Sequence, residues 1–263
     1  FGSSVAEMAV LAFEQLVCFG CAAVFLCSAL VFLFKDRTKS DVADEEFGTT
    51  VASRRFRVIT SVIALVAATC YGLMGCGFGL TSGAQHFWWL RYVDWAITTP
   101  LLLTDLALLA GLDVWDTFAL VVADVLMIAF GYAGAEPNFE YTWPHFGVSM
   151  ALFLLIMYLI FEGMLEHAND PTTADDKEAV VKQLLWLTAI TWSVYPLIFV
   201  LEQSVLSNAD DAVVSRSTVV LLYAAADVVA KVVFGFILLR DDTLLHVAMP
   251  TAPLEMVGIA ARA

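Results

Sequence analysis

Residues 91–109 read RYVDWAITTPLLLTDLALL, an apolar run whose only charged side chains are Arg91, Asp94 and Asp105. About 20 predominantly apolar residues cross the hydrocarbon core of a bilayer as a helix, and charged groups inside such a span are costly and usually functional. At a helical rotation of about 100° per residue, Asp94, Thr98 and Asp105 fall within about 40° of one another, with Arg91 about 60° away. These side chains share one stripe, and that stripe must face protein rather than lipid.

Comparable runs recur along the whole chain: Val5 to Phe34, Val58 to Leu80, Phe87 to Leu109, Val114 to Ala133, Tyr141 to Glu166, Leu184 to Leu206 and Val213 to Leu239. They predict an all-α membrane protein, a bundle of seven transmembrane helices forming one domain over residues 1–263. Helices are favoured over a membrane barrel because each run lacks a ten-residue dyad alternation and must satisfy its own backbone polar groups in lipid. The hydrophobic fraction of 60% agrees, since soluble domains run at about 45–50% apolar. No segment remains for a soluble catalytic domain, hydrolase motif or phosphate loop, so an enzyme in the usual sense is not expected. The lipid bilayer is the expected partner, at the plasma membrane, with no nucleic acid and no transducer evident in the chain. A homo-oligomer is compatible with this reading.

The formal charge of −14 arises largely from connecting segments such as Asp41 to Glu46 and Asp170 to Glu178, which read as solvated loop charge. Cys18, Cys21, Cys27, Cys70 and Cys76 fall in the apolar runs and read as reduced packing residues. The Cys18–Cys21 spacing lacks a second ligand pair, so no metal is expected. The first connection holds Lys35, Arg37, Lys39, Arg54, Arg55 and Arg57, and the fifth holds Lys177 and Lys182; Arg216 is the basic residue of the sixth. The positive-inside rule then places the N-terminus outside and the C-terminus in the cytoplasm. The chain opens on Phe1 rather than Met, which predicts a trimmed N-terminus. Pro100 and Pro196 interrupt the third and sixth helices, as packing kinks or as hinges.

In the seventh run Asp227 and Lys231 are spaced i, i+4 and share a face. A buried lysine needs a counterion or a chemical modification. Arg91 and Lys231 balance Asp94 and Asp227, so a near-neutral cluster forms without a metal. A structural ion cluster alone would also satisfy that arithmetic.

Three stretches go further. RYVDWAITTPLLLTDLALL, WSVYP at Trp192 to Pro196 and DVVAKVVFG at Asp227 to Gly235 resemble the third-, sixth- and seventh-helix signatures of the microbial rhodopsins. The resemblance covers essentially the whole chain and is closest to the bacteriorhodopsin-like pumps. It implies all-trans retinal, covalently bound to Lys231 as a protonated Schiff base. It implies that Asp94 and Asp227 are paired counterions, with Asp94 also the primary proton acceptor, Thr98 its hydrogen-bond partner, Asp105 the cytoplasmic proton donor and Arg91 a charge gate. The pocket it implies includes Trp95, Trp192, Tyr195 and Tyr71, with Thr99, Met127, Phe146 and Pro196.

With the N-terminus outside, the third and seventh helices both run inward. Asp94 and Asp227 precede the amine, and Asp105 lies eleven residues past Asp94, about 16 Å nearer the cytoplasm. Acceptor outside and donor inside mean outward proton movement, powered by light. The leucines around Asp105, from Leu101 to Leu109, favour its neutral form. Asp124 resembles a buried acid near the retinal ring of several pumps and reads as a protonated structural group. His86 and His145 read as interface or loop contacts, and Thr104 as a tolerated helix residue.

The proton-release position of the pumps is imperfect here. Val219 stands at its seventh-helix site, leaving Glu202, Glu14, Asp210 and Asp211 as candidates. Two other readings keep the same chromophore. A sensory rhodopsin would turn isomerisation into a helix movement read by a partner, and a light-gated cation channel would pass current that reverses with voltage.

Overall fold

The computed structural model describes residues 2–34, 47–81, 87–136, 141–168, 175–207 and 214–240. Seven long helices account for nearly all of them: α1 (Gly2–Phe34), α2 (Phe47–Gly75), α3 (Leu90–Ala110), α4 (Val114–Ala135), α5 (Thr142–Ala168), α6 (Asp175–Ser207) and α7 (Arg216–Val228). The last continues through a turn of π-helix, Val229–Val233, into a short α segment, Phe234–Leu238. Each of α1 to α6, and the seventh span Arg216–Leu238 taken whole, contains a window long and apolar enough to span a bilayer. Leu16, Leu154, Ile190 and Leu197 are more than 60% exposed on the outer faces. That much outward-facing apolar surface suits lipid and would be a liability in water.

Consecutive helices pack side by side and α7 returns to α1, which closes a ring. Helix α3 also touches α5 and α6. It therefore runs closest to the centre, and its charged stripe has protein on every side. Arg91, Asp94, Thr98 and Asp105 are all buried.

The helices extend beyond the apolar runs at two ends. Helix α2 starts at Phe47 instead of Val58 and α6 at Asp175 instead of Leu184. Hydropathy registers only the part that crosses hydrocarbon, whereas backbone hydrogen bonding continues into the polar turns beyond it, where Arg54, Arg55 and Lys182 are exposed. Helix α2 also ends early, at Gly75, because Gly77 and Gly79 turn the chain at φ +83° and +86°. Cys76 consequently lies in an exposed turn rather than in a helix, while Cys18 and Cys70 are buried as expected. The second connection is pinned by an isolated antiparallel bridge between Leu80 and Trp88. His86, Asp210 and Asp211 lie outside the described residues.

The turn from α3 to α4 is short because Asp113 caps α4. Its carboxylate accepts the backbone N–H groups of Asp116 at 3.0 Å and Trp115 at 2.5 Å, and these bonds hold the carboxyl below the usual range. At Gly235 a Cβ would come within 2.7 Å of both Phe32 and Thr60. Glycine there lets the end of the seventh span approach α1 and α2 closely.

Candidate functional site

The charged residues stack through the bundle at successive depths along α3 and α7. The central tier joins Lys231 to Asp94 and Asp227. Lys231 Nζ donates to Asp94 Oδ2 and lies 3.4 Å from Asp227 Oδ1. All three groups are buried, so each charge depends on the others for compensation. Lys231 projects from the π-helical turn, a local widening that often marks functional sites.

The two carboxylates of this tier differ in coordination. Asp227 accepts from Tyr71 Oη at 2.6 Å on Oδ2, and from Tyr195 Oη at 2.8 Å and Trp95 Nε1 at 3.0 Å on Oδ1. Three donors and the ammonium engage both of its oxygens. Asp94 has one oxygen on Lys231 and the other, Oδ1, without a protein partner. Thr98 sits beside this carboxylate, within hydrogen-bonding reach of it, while its hydroxyl donates to the Asp94 carbonyl oxygen at 2.8 Å in this arrangement. A helical threonine commonly makes that bond one turn back, and a hydroxyl has a single hydrogen to give.

Toward the start of α3, Arg91 Nη1 lies 3.6 Å from Glu202 Oε1 of α6, and its guanidinium stacks 4.0 Å from the centre of the Tyr223 ring. Tyr223 Oη donates to Glu202 Oε2 at 3.1 Å. Farther out, Glu14 of α1 is fully buried. It accepts Arg216 Nε at 2.8 Å, Arg216 Nη2 at 2.7 Å and Trp88 Nε1 at 3.1 Å.

In the other direction along α3, Asp105 stands apart. Thr60 Oγ1 donates to its Oδ2 at 3.2 Å, and Oδ1 has no partner among the described residues. Its span contributes buried Leu102, Leu103, Leu106 and Leu109 to a core that also holds Phe56, Phe234 and Leu238.

Beside the central tier, an apolar cavity runs between α3, α4, α5, α6 and the seventh span. Trp95, Thr99, Met127, Phe146, Trp192, Tyr195 and Pro196 line it, with Lys231 and Asp227 at its polar end. Tyr71 is not among the lining residues; it stands behind Asp227 and binds its Oδ2. Sequence reasoning missed Tyr92, Phe199 and Tyr223 in the lining. Tyr223 carried a usable signal, because it precedes Asp227 by four residues and Lys231 by eight and so shares their face. Phe199 stacks on Phe146 at 4.8 Å and has no such marker. Thr99 Oγ1 donates to Asp124 Oδ2 at 2.7 Å, tying α3 to α4 beside the cavity. His145 bonds the Tyr141 carbonyl at 2.6 Å within α5.

A primary amine at the end of an aromatic-lined cavity, flanked by two carboxylates, suits a long apolar aldehyde. The amine condenses with it, the carboxylates balance the resulting cation and the walls take the hydrocarbon. The residues present therefore fit retinal.

Residues 12–244 match the sequence model of the family described as bacteriorhodopsin-like protein. The chain is 35% identical over 215 residues to bacteriorhodopsin of Halobacterium salinarum, covering 80% of this chain and 79% of that one. It is 36% identical over 188 residues to sensory rhodopsin-2 of Haloarcula vallismortis, covering 71% and 77%. Among solved structures, the light-driven proton pump rhodopsin of Coccomyxa subellipsoidea superposes with a TM-score of 0.72 at 28% identity, covering 87% of this chain and 96% of that one.

Proposed function

The chain belongs to the bacteriorhodopsin-like family, and on that premise we propose that it is a light-driven pump moving protons outward, with the N-terminus outside and the C-terminus in the cytoplasm. It is an integral multi-pass membrane protein of a family of light-driven pumps and sensors, not an enzyme. Retinal, joined to Lys231 as a Schiff base, supplies light absorption and a photoisomerisation that changes the proton affinity and access of Nζ. The protein supplies counterions, proton positions and insulation.

The observation that carries this reading is the unequal coordination of three carboxylates along the stack. Asp227 is saturated by Tyr71, Tyr195 and Trp95 and remains an anion that stabilises positive charge at Nζ. Asp94 touches Nζ and has fewer protein donors than Asp227, so it takes up the proton that leaves there. Asp105 is insulated by leucine and phenylalanine, holds its proton in the resting state and returns one to Nζ from the opposite side. Arg91, between Asp94 and Glu202, redistributes charge outward when Asp94 becomes neutral. A carboxylate on each side of the amine gives the movement a direction.

The test is light-induced pH change in an unbuffered suspension of retinal-supplied cells. External acidification that a protonophore abolishes and Asp94→Asn removes supports the pump. A pigmented protein that produces no pH change contradicts it and leaves the sensory reading, which the similarity to sensory rhodopsin-2 keeps in view.

A further inference from the structure

We propose that the seam between α1 and α2 binds an anionic phospholipid, with an acyl chain lying along the seam and the phosphate held by Arg54 and Arg55. This surface faces lipid, away from the cavity of Lys231, and the inference stands whether the chain pumps or senses. The two helices are antiparallel neighbours, with Ala22 facing Gly72 and Phe19 facing Gly75. Midway along them the seam opens into a groove, lined by Ala22, Ala23 and Leu26 of α1 and by Leu65, Ala68 and Thr69 of α2. The Thr69 hydroxyl donates back to the Leu65 carbonyl at 2.8 Å. Its one hydrogen is committed within the helix, so the groove offers an apolar surface.

Two exposed apolar stripes run from the groove toward the end of the bundle at which α2 begins. Leu26, Leu30 and Leu33 form one on α1, and Leu65, Val62 and Val58 form the other on α2. Steps of three and four residues keep each set on one face of its helix. Three residues before Val58 the α2 stripe reaches Arg55, with Arg54 beside it, and both arginines are exposed. Arg55 and Leu65 are ten residues apart, which is about 15 Å along a helix axis. That is also the depth of one leaflet, half of a hydrocarbon core about 30 Å thick. Arginines at the interface and a groove at the midplane are thus separated by the length of one lipid chain.

Charge selects the occupant. The chain carries a formal charge of −14, so attraction to an anionic lipid has to be local. Guanidinium groups engage phosphate oxygens in a two-pronged fashion. A zwitterionic lipid offers the same chain, but its head adds a cation that the arginines repel. A second copy of this chain docked through the same seam would set Arg54 and Arg55 against their own counterparts.

The test is native mass spectrometry of the retinal-loaded chain released from detergent, titrated with dioleoyl phosphatidylglycerol or dioleoyl phosphatidylcholine. One phosphatidylglycerol is retained at a concentration about tenfold or more below that needed for phosphatidylcholine, the scale of two basic residues at an anionic surface. Added ammonium acetate narrows the difference, because exposed charges are screened. Arg54→Gln combined with Arg55→Gln removes the preference and leaves phosphatidylcholine binding as it was. Ala23→Phe fills the groove from its exposed wall and lowers retention of both lipids, with retinal absorbance reporting that each variant is folded. Equal retention of the two lipids by the wild type, or a preference insensitive to salt, overturns the inference. A preference that survives loss of both arginines overturns it too, as does retention that Ala23→Phe leaves unchanged, which would mean adsorption without a site.

Discussion

The two halves of this bundle on either side of Lys231 treat buried carboxylates in opposite ways. From Lys231 toward the start of α3, Asp227, Glu202 and Glu14 sit in a web of tyrosine, tryptophan and arginine donors. From Lys231 toward the end of α3, Asp105 has one threonine hydroxyl and a wall of leucine and phenylalanine. A web stabilises anions and supplies alternative partners when charge moves. A dry wall favours the neutral acid and keeps water away from it. On the proposed reading the contrast teaches that direction would be built from environment, with chemically identical aspartates serving as acceptor and donor according to what surrounds them.

Five substitutions probe that contrast, in decreasing order of effect. Lys231→Ala removes the attachment point between the halves, so the protein stays colourless with added retinal, read by absorption. Asp94→Asn lowers proton transport by about 10²-fold or more and moves the absorption maximum to longer wavelength, because one of two counterions is lost. Asp105→Asn leaves colour intact and slows recovery of the resting state by about 10²-fold, read by flash spectroscopy, with part of the loss regained at acidic pH where protons from bulk substitute for the missing donor. A matched pair gives the smallest effect. Tyr71→Phe removes one of several donors to Asp227 and lowers stability by about 1 kcal/mol in denaturation. Thr60→Val removes the one described partner of Asp105 and, at about 1 kcal/mol, changes the recovery rate about fivefold. A larger kinetic effect for Tyr71→Phe than for Thr60→Val would break the contrast.

The seven-helix architecture was legible because hydrocarbon thickness imposes a length that apolar runs reveal directly. The functional stripe of α3 and the Asp227–Lys231 pair were legible because charge inside a span has few reasons to exist. Partner choice was not. Tyr71 was expected against the chromophore and instead holds Asp227 from behind, since a tyrosine reads alike whether its ring or its hydroxyl does the work. Nor did any residue announce the π-helical turn at Val229–Val233. The polar extensions of α2 and α6 escaped for the opposite reason, because solvated helix carries no hydropathy signal.

The most direct test of outward pumping is the photocurrent of the retinal-loaded chain under voltage clamp. The account predicts an outward current at every holding potential, shrinking toward negative voltage without changing sign, and abolished by Asp94→Asn. A current that reverses with voltage would mean a passive pore, and no current from a coloured protein would mean a sensor.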